Sequence, residues 1–134
     1  MNPLVDLSEI KHRVVTLATL IKVDSKRLPT FGHSRDFGYP HIEVDALYHF
    51  VVIERGVEIE RRSTSNLDEL LFWVFESVTF GLASDFELSH RKDGEDSRRQ
   101  LFSKQVELMN LLSFDWANRL RDQIRRTVRL TGPH

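Results

Sequence analysis

The stretch from Asn66 to Arg91, NLDELLFWVFESVTFGLASDFELSHR, constrains this chain more than any other. Leu67, Leu71, Val74, Val78, Leu82 and Phe86 recur every three or four positions, which places them on one stripe of a helix. Leu70 and Phe75 widen that stripe, while Phe72, Trp73 and Phe80 fall on the opposite side. The first half is therefore apolar nearly all round. Such a helix needs cover on two faces, a sheet on one and helices on the other. Its start is well marked: Asn66 can cap, Glu69 three residues on can close a capping box, and Asp68 favours the positive helix end. Helix propensity falls at Val78, Thr79, Phe80 and Gly81, where a bend is expected.

Before this helix, Leu7, Ile10, Val14, Leu17 and Ile21 line one side of an N-terminal helix over 6–22, capped by Asp6 or Ser8. Residues 24–40 read as a loop punctuated by Pro29, Gly32, Gly38 and Pro40, with a short strand at Leu28 to Phe31. A connection that long is a candidate for binding, and equally for a loop packed down by Phe31, Phe37 and Tyr39.

Residues 41–64 read as an antiparallel meander. Ile42 and Val44 alternate with polar neighbours up to a turn at Asp45 and Ala46. Leu47 to Ile53 is apolar on both faces except at His49, as in a central strand covered on both sides. Val57 and Ile59 alternate with Glu58 and Glu60, as in a strand with one wet face, and Gly56 supplies the positive φ of a tight hairpin. After the central helix, 96–112 places Leu101, Phe102, Gln105, Leu108, Met109 and Leu112 inward. The last helix, 115–130, turns Trp116, Leu120, Ile124 and Val128 inward, and Thr131, Gly132 and Pro133 end it. The expected class is α+β: a three-stranded antiparallel meander packed against about four helices, in a single domain of 134 residues.

Composition removes several functions. With no cysteine there is no disulfide, no thiolate metal site and no cysteine nucleophile. A formal charge of −1 with interspersed signs argues against dedicated nucleic-acid binding. No run approaches the roughly 18 apolar residues of a membrane span, and the first residues lack the basic and apolar regions of a signal peptide. A cytoplasmic chain with no membrane partner is the expectation.

Six histidines raise the question of an enzyme, but none sits in an H-E-x-x-H motif. With a turn at Asp45, His41 and His49 lie on paired strands two positions from direct register, close enough to Asp45 for a weak ion site or for ordinary strand histidines. Glu69, Glu76 and Glu87 are too widely spaced along one helical side to share a proton, and read as a solvated row. A small histidine-using hydrolase with its site at loop 24–40 and the sheet stays as the alternative. The primary expectation is no catalytic residue, no cofactor and no metal.

Two polar placements are unusual. Asp85 falls on the same side as Leu67, Val78 and Leu82, and Arg98 points to the inner side of its helix. A cluster of Asp85, Glu87, Arg91, Asp96, Arg98 and Arg99 at the corner between the two helices would satisfy both, as a structural clamp or as an anion site.

The series Tyr48-x5-Glu54-Arg55-Gly56, then Thr64-x4-Glu69-Leu70-Leu71, continues as Glu87-x3-Arg91-x4-Asp96-x-Arg98-Arg99-x2-Phe102-x2-Gln105-x2-Leu108 with a downstream Trp116. In this series the chain resembles the immunity protein 63 family, small bacterial proteins paired with polymorphic toxins. The resemblance implies an α+β domain in the cytoplasm that binds and neutralises a cognate protein toxin, without catalysis. Its motif residues suit an architectural role equally well: Gly56 a turn, Leu70 and Leu71 the core, Arg91 and Asp96 the corner.

Charge patterning suggests where a partner would sit. Residues 41–60 carry a net charge of −4, halved to −2 when Arg61 and Arg62 are included. Residues 115–134 carry +3. Glu54, Glu58 and Glu60, with a mobile loop around Phe37 and Tyr39, are the candidate partner-binding residues. A solvated edge whose charges prevent strand-to-strand aggregation fits the same pattern.

Overall fold

The computed structural model describes residues 3–131, with side chains to residue 128. It is an α+β fold of four α-helices and one four-stranded sheet. Helix α1 spans Leu7–Leu20, and a single 3-10 turn spans Ser25–Arg27. The strands are β1 Thr30–Phe31, β2 Pro40–Val44, β3 Tyr48–Glu54 and β4 Val57–Thr64. Helices α2 Leu67–Ser89, α3 Ser97–Leu112 and α4 Phe114–Thr131 follow. The expected helix stop at Gly132 and Pro133 lies outside the described residues. The chain divides into two compact units, Met1–Val74 and Phe75–His134, and the division falls within α2.

In the first unit the sheet order is β1-β2-β3-β4. The expected antiparallel meander is there as β2, β3 and β4, but the sheet has four strands rather than three. The addition is β1, which pairs parallel to β2 with Thr30 opposite His41 and Phe31 opposite Ile42. Parallel neighbours are ordinarily joined by a dozen residues or more. Here residues 32–39 alone carry the chain back, and positive φ at Gly32, Asp36, Phe37 and Gly38 makes that reversal possible. Helix α1 starts on Asp6, whose side chain accepts the Glu9 N–H, and packs Ile10, Val14 and Ala18 into the core.

The β2–β3 turn holds three residues rather than two: Val44 pairs with Tyr48, and Asp45 Oδ1 accepts the Leu47 N–H. The β3–β4 turn is the expected tight hairpin, with Arg55 and Gly56 both at positive φ, the type I′ geometry. Strand β3 is buried on both faces over Tyr48, His49, Phe50 and Val51. Strand β4 departs from expectation. Its Val57 and Ile59 are 61% and 56% exposed: β4 is an edge strand, and among the described residues neither of its faces is covered at the hairpin end. Ile59 is also the extra residue of a β-bulge, since Glu60 pairs with Val52 and Glu58 with Ile53.

Helix α2 starts on Asn66, whose side chain accepts the Glu69 N–H at 3.1 Å. The Asn66 N–H itself donates to the Thr64 hydroxyl at 3.0 Å. Leu70, Leu71, Phe72 and Val74 are buried, so the apolar girdle is used all round. The helix runs unbroken through Val78 to Gly81.

In the second unit, Phe75 and Trp116 stack with centroids 6.1 Å apart. Gln105 is buried and donates to the Glu76 carbonyl and to Thr79 Oγ1, and the Thr79 hydroxyl in turn donates to the Phe75 carbonyl. One residue, Ser113, ends α3 and begins α4: its N–H donates to the Met109 carbonyl, and its Oγ accepts the Trp116 N–H.

Candidate partner-binding surface

The loop before β2 and the β3–β4 hairpin form one structure. Residues Asp36 to Tyr39 make a type I′ turn: the Tyr39 N–H donates to the Asp36 carbonyl, and Phe37 and Gly38, both at positive φ, sit at its centre. The turn is fastened to the hairpin twice. The Gly38 N–H donates to the Ile53 carbonyl at 2.9 Å, and the Gly56 N–H donates to Asp36 Oδ1 at 3.2 Å. Further ties come from Ser34 Oγ, which accepts the Asp36 N–H, and from Arg35, which reaches the Lys26 carbonyl and lies over the Tyr39 ring. The loop expected to be mobile is thus latched to the sheet.

What it presents is apolar. Phe37 is 81% exposed, Tyr39 45%, and Val57 and Ile59 of the hairpin are exposed with them. Of the five residues singled out by charge and position, Phe37 and Tyr39 are thereby brought to the turn that carries Glu54. The acidic character is weaker than the sequence suggested. Glu58 takes Arg61 on one oxygen, at 3.0 Å from Nε and 2.7 Å from Nη2, and Glu60 lies 3.5 Å from Arg62. Arg61 holds the Glu58 carboxyl below its ordinary pKa. Sequence reasoning missed Val57 and Ile59 as surface residues, since alternation shows that a strand has two faces and not that either is covered.

The histidines occupy the other polar feature of the sheet. His41 is buried with Nε2 2.7 Å from Glu43 Oε2, and Arg61 reaches the second oxygen of Glu43. His41 foremost, then Arg61, hold the Glu43 carboxyl low against the opposing effect of burial. His49 lies between Ser63 Oγ, 2.6 Å from Nδ1, and Asp45 Oδ1, 2.7 Å from Nε2. The Leu47 N–H is the larger cause of the lowered Asp45 pKa, with His49 second. Glu43 stands directly opposite His49, so His41 and His49 are offset by two positions as expected. Each histidine has its own carboxylate, and among the described residues no group of three or more His, Asp or Glu is placed to hold a metal ion.

The six corner residues do not form one buried cluster. Asp85 and Arg98 are exposed, contrary to their expected inward placement, because the inner side of each helix is filled by apolar neighbours and Gln105. Glu87, expected in a solvated row as an ordinary i,i+4 partner of Arg91, does pair with Arg91, in a bidentate contact at 2.8 Å for both bonds, but it is 4% exposed rather than solvated. Arg91 holds the Glu87 carboxyl low. Asp96 caps α3 by accepting the Arg98 N–H, with the Arg98 guanidinium 4.0 Å away, and Arg99 is exposed. A groove of about 640 Å³ also runs along α3 and α4, floored by Phe102, Val106 and Ile124 and edged by Arg121 and Arg125. No helix among the described residues is long and apolar enough to cross a membrane.

Neither the curated proteins nor the solved structures contain a match to this chain. The family model of immunity protein 63 matches residues 45–126, from the turn before β3 through most of α4. That span carries the hairpin, the central helix and the helical unit, and the chain belongs to the immunity protein 63 family.

Proposed function

We propose that this protein binds a cognate polymorphic toxin in the cytoplasm of the producing bacterium and neutralises it by occupying its surface, without catalysis of its own. The observation that carries this reading is the exposure of Phe37, Tyr39, Val57 and Ile59 on a loop and hairpin joined by one backbone hydrogen bond and one to the Asp36 carboxylate. Aromatic residues exposed on a fastened frame are what protein interfaces use as anchors. The charges around them are largely paired, so they supply a polar rim rather than a steering field. Membership of an immunity family supplies the kind of partner. Co-expression with the toxin encoded beside this chain's gene tests the proposal. The wild-type chain restores growth, and a double substitution of Phe37 and Val57 to Asp abolishes protection while leaving the fold intact. Undiminished toxicity in the presence of folded wild-type chain overturns it.

One observation favours a hydrolytic second reading. Ser63, His49 and Asp45 are strung in the order of a nucleophile, a base and its orienting acid. It ranks second because the sheet accounts for each contact: Ser63 and His49 are cross-strand partners, and Asp45 closes the adjoining turn. Ester turnover that is lost on Ser63→Ala with the fold preserved would promote it.

A further inference from the structure

A phenylalanine with left-handed backbone is costly. At φ +56° the side chain crowds its own carbonyl, and the first central position of a type I′ turn favours Asn, Asp or Gly for that reason. Asp36 immediately before it is also left-handed, at φ +59°. The return from β1 to β2 requires positive φ in this loop, and at Gly32 and Gly38 the sequence meets that requirement with glycine. At Phe37 it does not, although the ring gains almost no burial in exchange. Strain with no packing return points to a role outside the chain's own stability.

We propose that Phe37 is the preset anchor of the toxin-binding surface, received by an apolar recess on the toxin, and that Asp36 is the positioning residue that holds it ready. This deepens the toxin-binding reading above and rests on it. The Asp36 carboxylate accepts the Gly56 amide of the hairpin, while the carbonyl of the same residue closes the turn around Phe37. Phe37 is thus fixed between two anchored residues, Asp36 and Gly38. An aromatic ring held in its bound position before encounter loses little freedom on docking, so the gain appears chiefly as slower dissociation. The recess is apolar because what it receives is an exposed phenyl ring, while Glu58 and Glu60 of β4 already face Arg61 and Arg62 within this chain.

The test measures association and dissociation rates with the toxin domain encoded beside this chain's gene, inactivated by substitution in its own active site. Alongside, it measures thermal stability of each variant. Phe37→Ala raises the dissociation rate by about 30-fold or more, the scale of an interface hot spot, with the association rate within a few-fold. Phe37→Gly gives the same loss of binding and a melting temperature equal to or above wild type, because glycine relieves the left-handed strain. Asp36→Ala raises the dissociation rate about 10-fold with the ring still present, and Asp36→Asn, which keeps the acceptor oxygen, recovers most of the loss. A structural plug behaves otherwise: Phe37→Gly then lowers the melting temperature, and the anchor is overturned. Binding by Phe37→Ala at the wild-type dissociation rate also overturns it while leaving the toxin reading intact. If the wild-type chain does not bind the toxin domain, the functional reading itself falls and the anchor with it.

Discussion

The guanidinium of Arg62 lies 5.1 Å over the ring of Trp73, so β4 meets the first turns of α2 through a cation rather than an aliphatic side chain. The same group lies 4.9 Å over Phe50 on the neighbouring strand. Cation–π contacts contribute about 0.5–1 kcal/mol at exposed sites and about 2 when desolvated. Arg62→Ala is expected to cost about 2 kcal/mol by urea denaturation. Arg62→Lys is expected to recover less than half of that, since an ammonium cannot lie flat between two rings. Full recovery by lysine would show that charge alone, and not stacking, is what Arg62 supplies.

Gln105 makes a similar point inside the helical unit. Its carboxamide donates to the Glu76 carbonyl at 3.1 Å and to Thr79 Oγ1 at 3.4 Å. Gln105→Leu fills the space but removes a donor from both, for an expected loss of about 1–3 kcal/mol. Gln105→Glu places a carboxylate against the same acceptors and is expected to be worse. A leucine variant as stable as wild type would mean that these bonds contribute nothing net.

At the α2–α3 corner the effects are expected to separate. Asp96 is largely exposed and acts as a helix cap, so Asp96→Ala costs about 1 kcal/mol and Asp96→Asn or Asp96→Ser nearly restores it. A joint clamp of six residues would instead make Asp96→Asn as damaging as Asp96→Ala. Chemical denaturation of the three variants decides between them.

Acid should destabilise the fold in a defined window. The carboxyls of Glu43, Asp45, Glu58 and Glu87 are all held below their ordinary values: Glu43 chiefly by His41, Asp45 by the Leu47 amide, Glu58 by Arg61 and Glu87 by Arg91. A carboxyl depressed by folding contributes stability above its unfolded pKa and loses it as pH falls through the folded pKa. The melting temperature is therefore expected to hold from neutrality to about pH 5 and to decline below about pH 4. Replacing Glu43 and Glu87 together by Gln lowers the melting temperature at neutral pH and flattens the acid decline. Parallel profiles for variant and wild type would remove these two carboxyls from the explanation.

Periodicity made the helices and the central strand legible. The girdle of Leu70, Leu71, Phe72 and Val74 required cover all round and has it. The run expected to be covered on both faces is buried from Tyr48 to Val51, whereas β2 buries His41 beside Ile42 and so departs from the expected alternation. The two-residue strand β1 had only Leu28 to Phe31 as a signal, too short for a period, and its parallel pairing is a tertiary fact. Asp85 and Glu87 were exchanged in expectation because the second half of α2 buries the side of Phe75, Thr79 and Ala83, which Glu87 shares, and residues two apart lie nearly opposite each other on a helix. The candidate surface was half legible. Gly38 and Gly56 marked the turns, whereas the latch between Asp36 and Gly56 joins residues twenty apart with no motif between them. Of the ion pairs that quench Glu58 and Glu60, the first joins residues three apart on one strand, Glu58 and Arg61, which strict alternation would set on opposite faces and between which the bulge at Ile59 intervenes.

The most direct test of the proposed interface is amide hydrogen exchange on the chain alone and in complex with the inactivated toxin domain. Protection gained on binding is expected over residues 35–39 and 54–60, with the α3–α4 groove unchanged. Protection confined to that groove, around Val106 and Arg121 to Arg125, with the Phe37 turn exchanging as in the free chain, would contradict it.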